Sequence, residues 1–130
     1  VLDIIYYDLI KADIREDAAL ELDMLVVILN DNPNITVELS SHTDDRSSVD
    51  YNQDLSQRRA ESAVSYIVSK GISENRMTAK GYGESQLIIP NAKTEEEHQI
   101  NRRTEFKVTS YEFIENSEDA NSEEKFFNNN

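Results

Sequence analysis

The spacing of apolar residues switches repeatedly between two periods along this chain, and that switching constrains the fold more than any other feature. Over Ile35–Ser41, Ile35, Val37 and Leu39 alternate with Thr36, Glu38 and Ser40, the period-two pattern of a half-buried strand. On either side the period is helical. Ala18, Leu22, Leu25, Val26 and Leu29 recur on one face across Asp13–Asn30. Asp13 is placed as an N-cap with Glu16 as its capping-box partner, and Pro33 disfavours helix just beyond the end. Leu55, Ala60, Ala63, Val64, Ile67 and Val68 form a second stripe over Tyr51–Lys70, followed by Gly71 where a left-handed residue closes a helix. Strand-like segments at Leu2–Tyr7, Arg76–Tyr82 and Arg102–Phe113, and a short helix within Thr94–Ile100, complete the order β-α-β-α-β-(α)-β. In the last strand Thr104, Phe106 and Val108 face one way and Arg103, Glu105 and Lys107 the other. Elements with one apolar face need a second layer to cover it. The expected fold class is therefore α/β (α+β): a two-layer sandwich with the helices packed on one mixed sheet, parallel at least where helices connect neighbouring strands.

A chain of 130 residues suits one domain, 1–113, and a tail, 114–130, that is acidic and expected to be disordered. Phe126 and Phe127 give that tail a sticky end. No run of about 18 apolar residues exists, so this segment is not expected to insert in a membrane. No signal or transit segment opens the chain, and Val1 leads directly into strand-like sequence, which reads as a fragment of a longer protein. The absence of cysteine excludes disulfides, thiolate zinc sites and thiol catalysis. A net charge of −13 repels nucleic acid and anionic lipid alike.

The polar stretch after the Ile35–Ser41 strand holds the residues with chemical potential. It reads Ser41-His42-Thr43-Asp44-Asp45-Arg46, then Tyr51-Asn52-Gln53-Asp54-Leu55-Ser56-Gln57-Arg58-Arg59-Ala60. Asn52, Leu55 and Arg59 share one side of the following helix, and Asp44 leaves the strand end just before it. A carboxylate and a guanidinium can thus flank one cleft in a loop displayed by a rigid scaffold. Such a pair suits a zwitterion: Asp44 takes an ammonium, Arg59 takes a carboxylate in a bidentate fork, and Asn52 adds an amide hydrogen bond. A ligand with one charge only would strand the other protein charge.

Thr43-Asp44, Tyr51-Asn52, Leu55-Ser56-x-x-Arg59-Ala60, Gly81-Tyr82-Gly83-Glu84 and Asn101-Arg102-Arg103 occur in an order and spacing that resembles the OmpA-like C-terminal domain, the family of the peptidoglycan-associated lipoprotein. The resemblance spans residues 3–111. It implies non-catalytic binding of peptidoglycan through the meso-diaminopimelate of the peptide stem, tethering an outer-membrane or envelope protein to the wall from the periplasmic side. It implies no cofactor and no metal. By the same resemblance Asp44 and Arg59 hold the zwitterionic end, with Asn52, Arg102, Thr43, Leu55 and the backbone of Ile10 around it. Ile10 stands where the family often has Asp or Asn, and Ser47 stands where it tends to have Gly, so Ser47 would be strained if that position needs a positive φ.

Other readings compete. Asp44 and Arg59 could simply pair with each other, and Arg58, Arg102 and Arg103 could serve the many carboxylates. A protein–protein module that has lost wall binding is the alternative function. His42, Asp44, Asp45 and His98 supply too few ligands at any recognised spacing for a metal site. The loop lacks the Gly and terminal Glu of an EF-hand, and no Gly-x-Ser-x-Gly elbow supports a hydrolase. Gly81-Tyr82-Gly83 reads as a tight backbone passage closing a strand, not as a phosphate cradle.

Overall fold

A computed structural model describes residues 5–6 and 16–114 of the chain. The order is β1 (Ile5–Tyr6), α1 (Glu16–Asp31), β2 (Thr36–His42), α2 (Val49–Ser69), a 3-10 turn (Glu74–Arg76), β3 (Met77–Gly83), α3 (Glu95–Asn101) and β4 (Arg103–Ser110). The four strands form one mixed sheet in the order β1-β4-β2-β3. β2 and β3, joined through α2, are parallel, and β4 runs antiparallel to both of its neighbours. This is the expected architecture, with the last strand inserted at the centre. The Asp13 cap, the Ile10 site and the tail beyond Ile114 lie outside the described residues.

The apolar stripes meet as their periods dictate. Leu22, Leu25 and Leu29 of α1 and Ala63 and Ile67 of α2 pack with Ile35, Val37, Leu39, Met77 and Phe106 in one buried cluster. Each fully buried Leu or Ile is worth about 1.5–3 kcal/mol. Val68, placed on the buried stripe by spacing, is 38 % exposed instead; it lies next to Ile67 at the edge of the packed face. α2 starts two residues before the expected Tyr51, because Ser48 is its N-cap and accepts a hydrogen bond from the Tyr51 N–H at 3.1 Å. Gly71 adopts φ +102° just after the C-cap residue Lys70, as expected. β4 stops at Ser110, short of the expected Phe113, because its partner β2 begins only at Thr36. Beyond that point the Phe113 N–H donates to Asn34 O and the Asn34 side-chain amide donates to Tyr111 O, continuing the contact.

β3 is an edge strand, and α2 covers much of its edge. Gln57 receives the Gly81 N–H and donates to Ala79 O, Gln53 donates to Gly81 O, and Ser56 Oγ receives the Gly83 N–H. Side-chain amides and a hydroxyl thereby occupy backbone groups that would otherwise recruit another strand. The close approach requires glycine: a Cβ on Gly81 would lie 2.3 Å from Gln57 N. The Gly81-Tyr82-Gly83 run is thus the tight passage anticipated from sequence.

Candidate functional site

β2 delivers its last residues, Ser40, Ser41 and His42, and then Thr43 and Asp44 into fully covered positions, although all five are polar. Buried polar groups need partners, and each of the two loop residues has them. Thr43 N–H donates to Gly83 O at 2.8 Å, tying the end of β2 to the end of β3, and its hydroxyl donates to Asp44 O. Asp44 is 2 % exposed. Its Oδ2 accepts from Arg102 Nη1 at 2.9 Å and from Arg46 Nη2 at 2.9 Å and Nε at 3.2 Å, while Oδ1 accepts the Arg46 backbone N–H at 3.1 Å. Burial alone would raise the Asp44 pKa, but the hydrogen bonds from Arg46 and Arg102 outweigh it and hold the carboxyl below its ordinary value. The site therefore presents a permanent buried anion at neutral pH.

The arginines that clasp Asp44 are Arg102 and Arg46. Arg102, buried to the same degree, also donates through Nη2 to Glu95 at 2.7 Å and Gln99 at 2.6 Å. Arg46 reaches Glu95 through Nη1 at 3.1 Å. Glu95 thus bridges both guanidinium groups, and the hydrogen bond from Arg102, with that from Arg46, keeps its pKa low. Arg46, Glu95 and Gln99 were absent from the set predicted by sequence. The available signal was the spacing Glu95, Gln99, Arg102, which places all three on one face of α3.

The α2 face predicted from spacing is present. Asn52, Leu55 and Arg59 are 2 %, 3 % and 0 % exposed. The Asn52 amide nitrogen lies within hydrogen-bonding distance of Asp44 O, Ser47 O and Glu84 Oε1. Asn52 therefore fixes the loop that carries Asp44, and Glu84, the fourth residue of the Gly-Tyr-Gly-Glu run, steadies Asn52. Leu55 is buried yet stands outside the apolar cluster, on the part of α2 nearest this loop. Arg59 is entirely enclosed. The structure thus brings Thr43, Asp44, Asn52 and Arg102 into one hydrogen-bonded network.

The three residues of Asn101-Arg102-Arg103 divide the work. Asn101 Oδ1 receives the N–H groups of Ile88 and Ile89 and its amide donates to Ile89 O. Arg103 donates to Gln86 O, Asn101 O and Glu105. Both pin the loop between β3 and α3, and Arg102 alone turns to Asp44. Among the described residues Arg58 makes one exposed pair, with Asp54, four residues earlier on the helix.

His42 points elsewhere. Its ring stacks on Tyr82 with centroids 5.1 Å apart, and the Nζ of Lys80 and of Lys107 lie over the Tyr82 ring. Burial, with Arg103 nearby, lowers the His42 pKa to about 4. Among the described residues no group of three or more His, Asp or Glu side chains is placed to hold a metal ion. No helix among them is long and apolar enough to cross a membrane.

This arrangement has known relatives. The chain is 36 % identical over 102 residues to outer membrane porin F of Pseudomonas fluorescens, covering 78 % of this chain and 31 % of that protein. It is 36 % identical over 86 residues to the peptidoglycan-associated lipoprotein of Rhizobium meliloti, covering 66 % and 49 %. The chain therefore spans less than half the length of these two relatives. The crystal structure of the peptidoglycan-associated lipoprotein from Burkholderia pseudomallei superposes with a TM-score of 0.76, at 22 % identity, over 81 % of this chain and 88 % of that one; at that identity the likeness is one of fold. Residues 6–102, which carry α1, β2, α2, β3, α3 and the Asp44 network, match the model of the OmpA family, and the chain belongs to that family of non-enzymatic domains.

Proposed function

We propose that this domain binds peptidoglycan without chemistry and holds an envelope protein of a Gram-negative cell to its wall, on the periplasmic side of the outer membrane. The ligand we propose is meso-diaminopimelate in the peptide stem. The family membership and the names of the relatives support the wall; the Asp44 network supports the headgroup. Asp44 is a buried carboxylate kept ionised by its neighbours, and its Oδ1 accepts a single hydrogen bond among those described. A carboxylate has about four acceptor positions, so Asp44 can take an ammonium once the Arg46 side chain gives way. Arg59, enclosed on the α2 face that Asn52 and Leu55 share, is assigned the ligand carboxylate. Thr43 and Asn52 position the loop, Arg102 orients Asp44, and the Ile10 backbone is assigned a contact with the ligand.

One observation favours the second reading, a protein-binding module without wall affinity. Two guanidinium groups already cover Asp44, so a ligand ammonium must displace one of them. Calorimetry separates the readings. A muropeptide ending in diaminopimelate is expected to bind, and its lysine counterpart, which lacks the carboxylate for Arg59, is expected to give no heat. Co-sedimentation with diaminopimelate-type sacculi should follow the same pattern. No heat and no pelleting at low salt would leave the second reading standing.

A further inference from the structure

Away from the Asp44 network, at the opposite end of α2, a cavity of about 340 Å³ lies between that helix and the start of β3, lined by Glu61, Val64, Ser65, Glu74, Met77 and Ala79. We propose that it is a docking site for an extended, cationic peptide segment of a partner protein, added as a parallel strand to the β3 edge.

The backbone carries the first part of the argument. In a parallel ladder the N–H and C=O of one residue point to the same side, and alternate residues face opposite neighbours. Gly81 sends both its N–H and its carbonyl outward to α2, as do the Gly83 N–H and the Ala79 carbonyl. The Met77 carbonyl and Ala79 N–H must point outward as well. Among the described residues, the side chains that cover the edge reach no lower than Ala79 O, which Gln57 engages at 3.2 Å. The uncovered pair, Met77 C=O and Ala79 N–H, sits at the cavity. These two groups match one residue of an incoming parallel strand, which donates its N–H to the first and accepts from the second.

The side chains carry the second part. Val64 and Met77 offer an apolar wall to an aliphatic stem, while Glu61 and Glu74 on either side attract its charged end. Glu61 accepts one hydrogen bond, from Gln57, and keeps acceptor capacity for a second donor. Lysine and arginine have this form. A second copy of the chain does not suit the site, since it brings the same net charge of −13.

The test uses the 15N-labelled full chain and a blocked hexapeptide of alternating lysine and valine. Its addition is expected to shift the amides of residues 61–65 and 74–79 and to slow hydrogen exchange at the Ala79 N–H. Affinity should fall about tenfold or more when both acidic residues are reversed, in Glu61→Lys with Glu74→Lys. Ser65→Lys, on the exposed side of the helix, should block the cavity to the same extent. Asp44→Asn should leave peptide binding unchanged, which keeps this result independent of wall binding. Equal shifts with a glutamate–valine peptide, shifts centred on Asp44 and Asn52, or unchanged affinity in both sets of lysine variants would overturn the proposal, as would a silent spectrum at millimolar peptide.

Discussion

Gly81→Ala tests how closely α2 must lie on β3, and the loss can be worked from distances. An added Cβ would stand 2.3 Å from Gln57 N, 2.5 Å from Ser56 Oγ and 2.7 Å from Gln57 Cα. Ordinary contact needs about 3.5 Å, and the nearest atom is helix backbone, so α2 must retreat by about 1 Å. Such overpacking costs about 1–3 kcal/mol. The retreat also stretches four hydrogen bonds that now measure 2.7–3.2 Å between α2 side chains and the strand edge. Losing two of them adds about 2 kcal/mol, and alanine returns about 0.5–1 kcal/mol through its lower chain entropy. The net is about 2–4 kcal/mol, a fall in Tm of roughly 10–25 °C for a domain near 100 residues. Urea unfolding followed by circular dichroism measures it. Gly71→Ala is the control: nothing lies within 4 Å of its Cβ, and only its φ of +102° opposes the change, worth about 1–2 kcal/mol. A loss under about 1 kcal/mol at Gly81, or an equal loss at both glycines, would refute the account. Since α2 also carries Asn52, Leu55 and Arg59, affinity for the muropeptide should fall with stability.

Further expectations concern charge. Asp44→Asn and Arg59→Ala should each weaken muropeptide binding by about 2–5 kcal/mol with folding retained, read by calorimetry beside circular dichroism. Arg102→Ala removes the buried one of Asp44's two guanidinium partners and leaves the carboxylate to Arg46, so it should lower unfolding free energy by about 3 kcal/mol in urea, the low end for a broken buried pair. Arg46→Ala, whose side chain is 35 % exposed, should change stability by less than about 1 kcal/mol and tighten binding, since the ligand ammonium then has one competitor fewer. His42 should make stability pH-dependent. Between its ordinary value of 6.5 and its folded value of about 4, the unfolded chain binds a proton that the folded chain does not, so stability rises with pH through that window and levels off above it, by about 3 kcal/mol. Urea titrations at several pH values should show this slope, and His42→Phe, which keeps the stack on Tyr82, should flatten it. Asp44 acts lower: its depressed pKa adds stability above the ordinary carboxyl range that is lost as pH falls through the lowered value.

Most of the fold was legible because periodicity reports local geometry directly. Leu22, Leu25 and Leu29, or Val37 and Leu39, announce their buried faces by spacing alone. Strand order was not legible: nothing local in Arg103–Ser110 says that it enters between β1 and β2. The site was half legible for the same reason. Asn52, Leu55 and Arg59 follow from helical spacing and are all buried. Arg46 and Glu95 are 49 positions apart and are exposed residues of an acidic chain, so their joint hold on Asp44 and Arg102 is a tertiary fact without a sequence period. Ser40 and His42 show the converse: alternation placed Ser40 outward, yet both are covered, on a face where Tyr82 stacks on His42 and Glu38 accepts from both the Ser40 and the Tyr82 hydroxyl.

The network around Asp44 also bears on how a neutral ligand can bind a strongly acidic domain. Two cations, Arg46 and Arg102, and two anions, Asp44 and Glu95, balance among themselves. A zwitterionic headgroup adds no net charge to that balance. Its ammonium can take the place of Arg46 on Asp44 while Arg46 keeps Glu95, with which it already pairs at 3.1 Å. Arg102 need not move, because Gln99 and Glu95 hold its other nitrogen. Binding on this scheme exchanges one ion pair of the buried Asp44 for another and leaves no charge stranded, which is the condition under which desolvation does not cancel the gain. A singly charged ligand breaks the exchange on one side or the other, so the selectivity proposed for this domain resides in the balance of the whole network and not in the Asp44 carboxylate by itself.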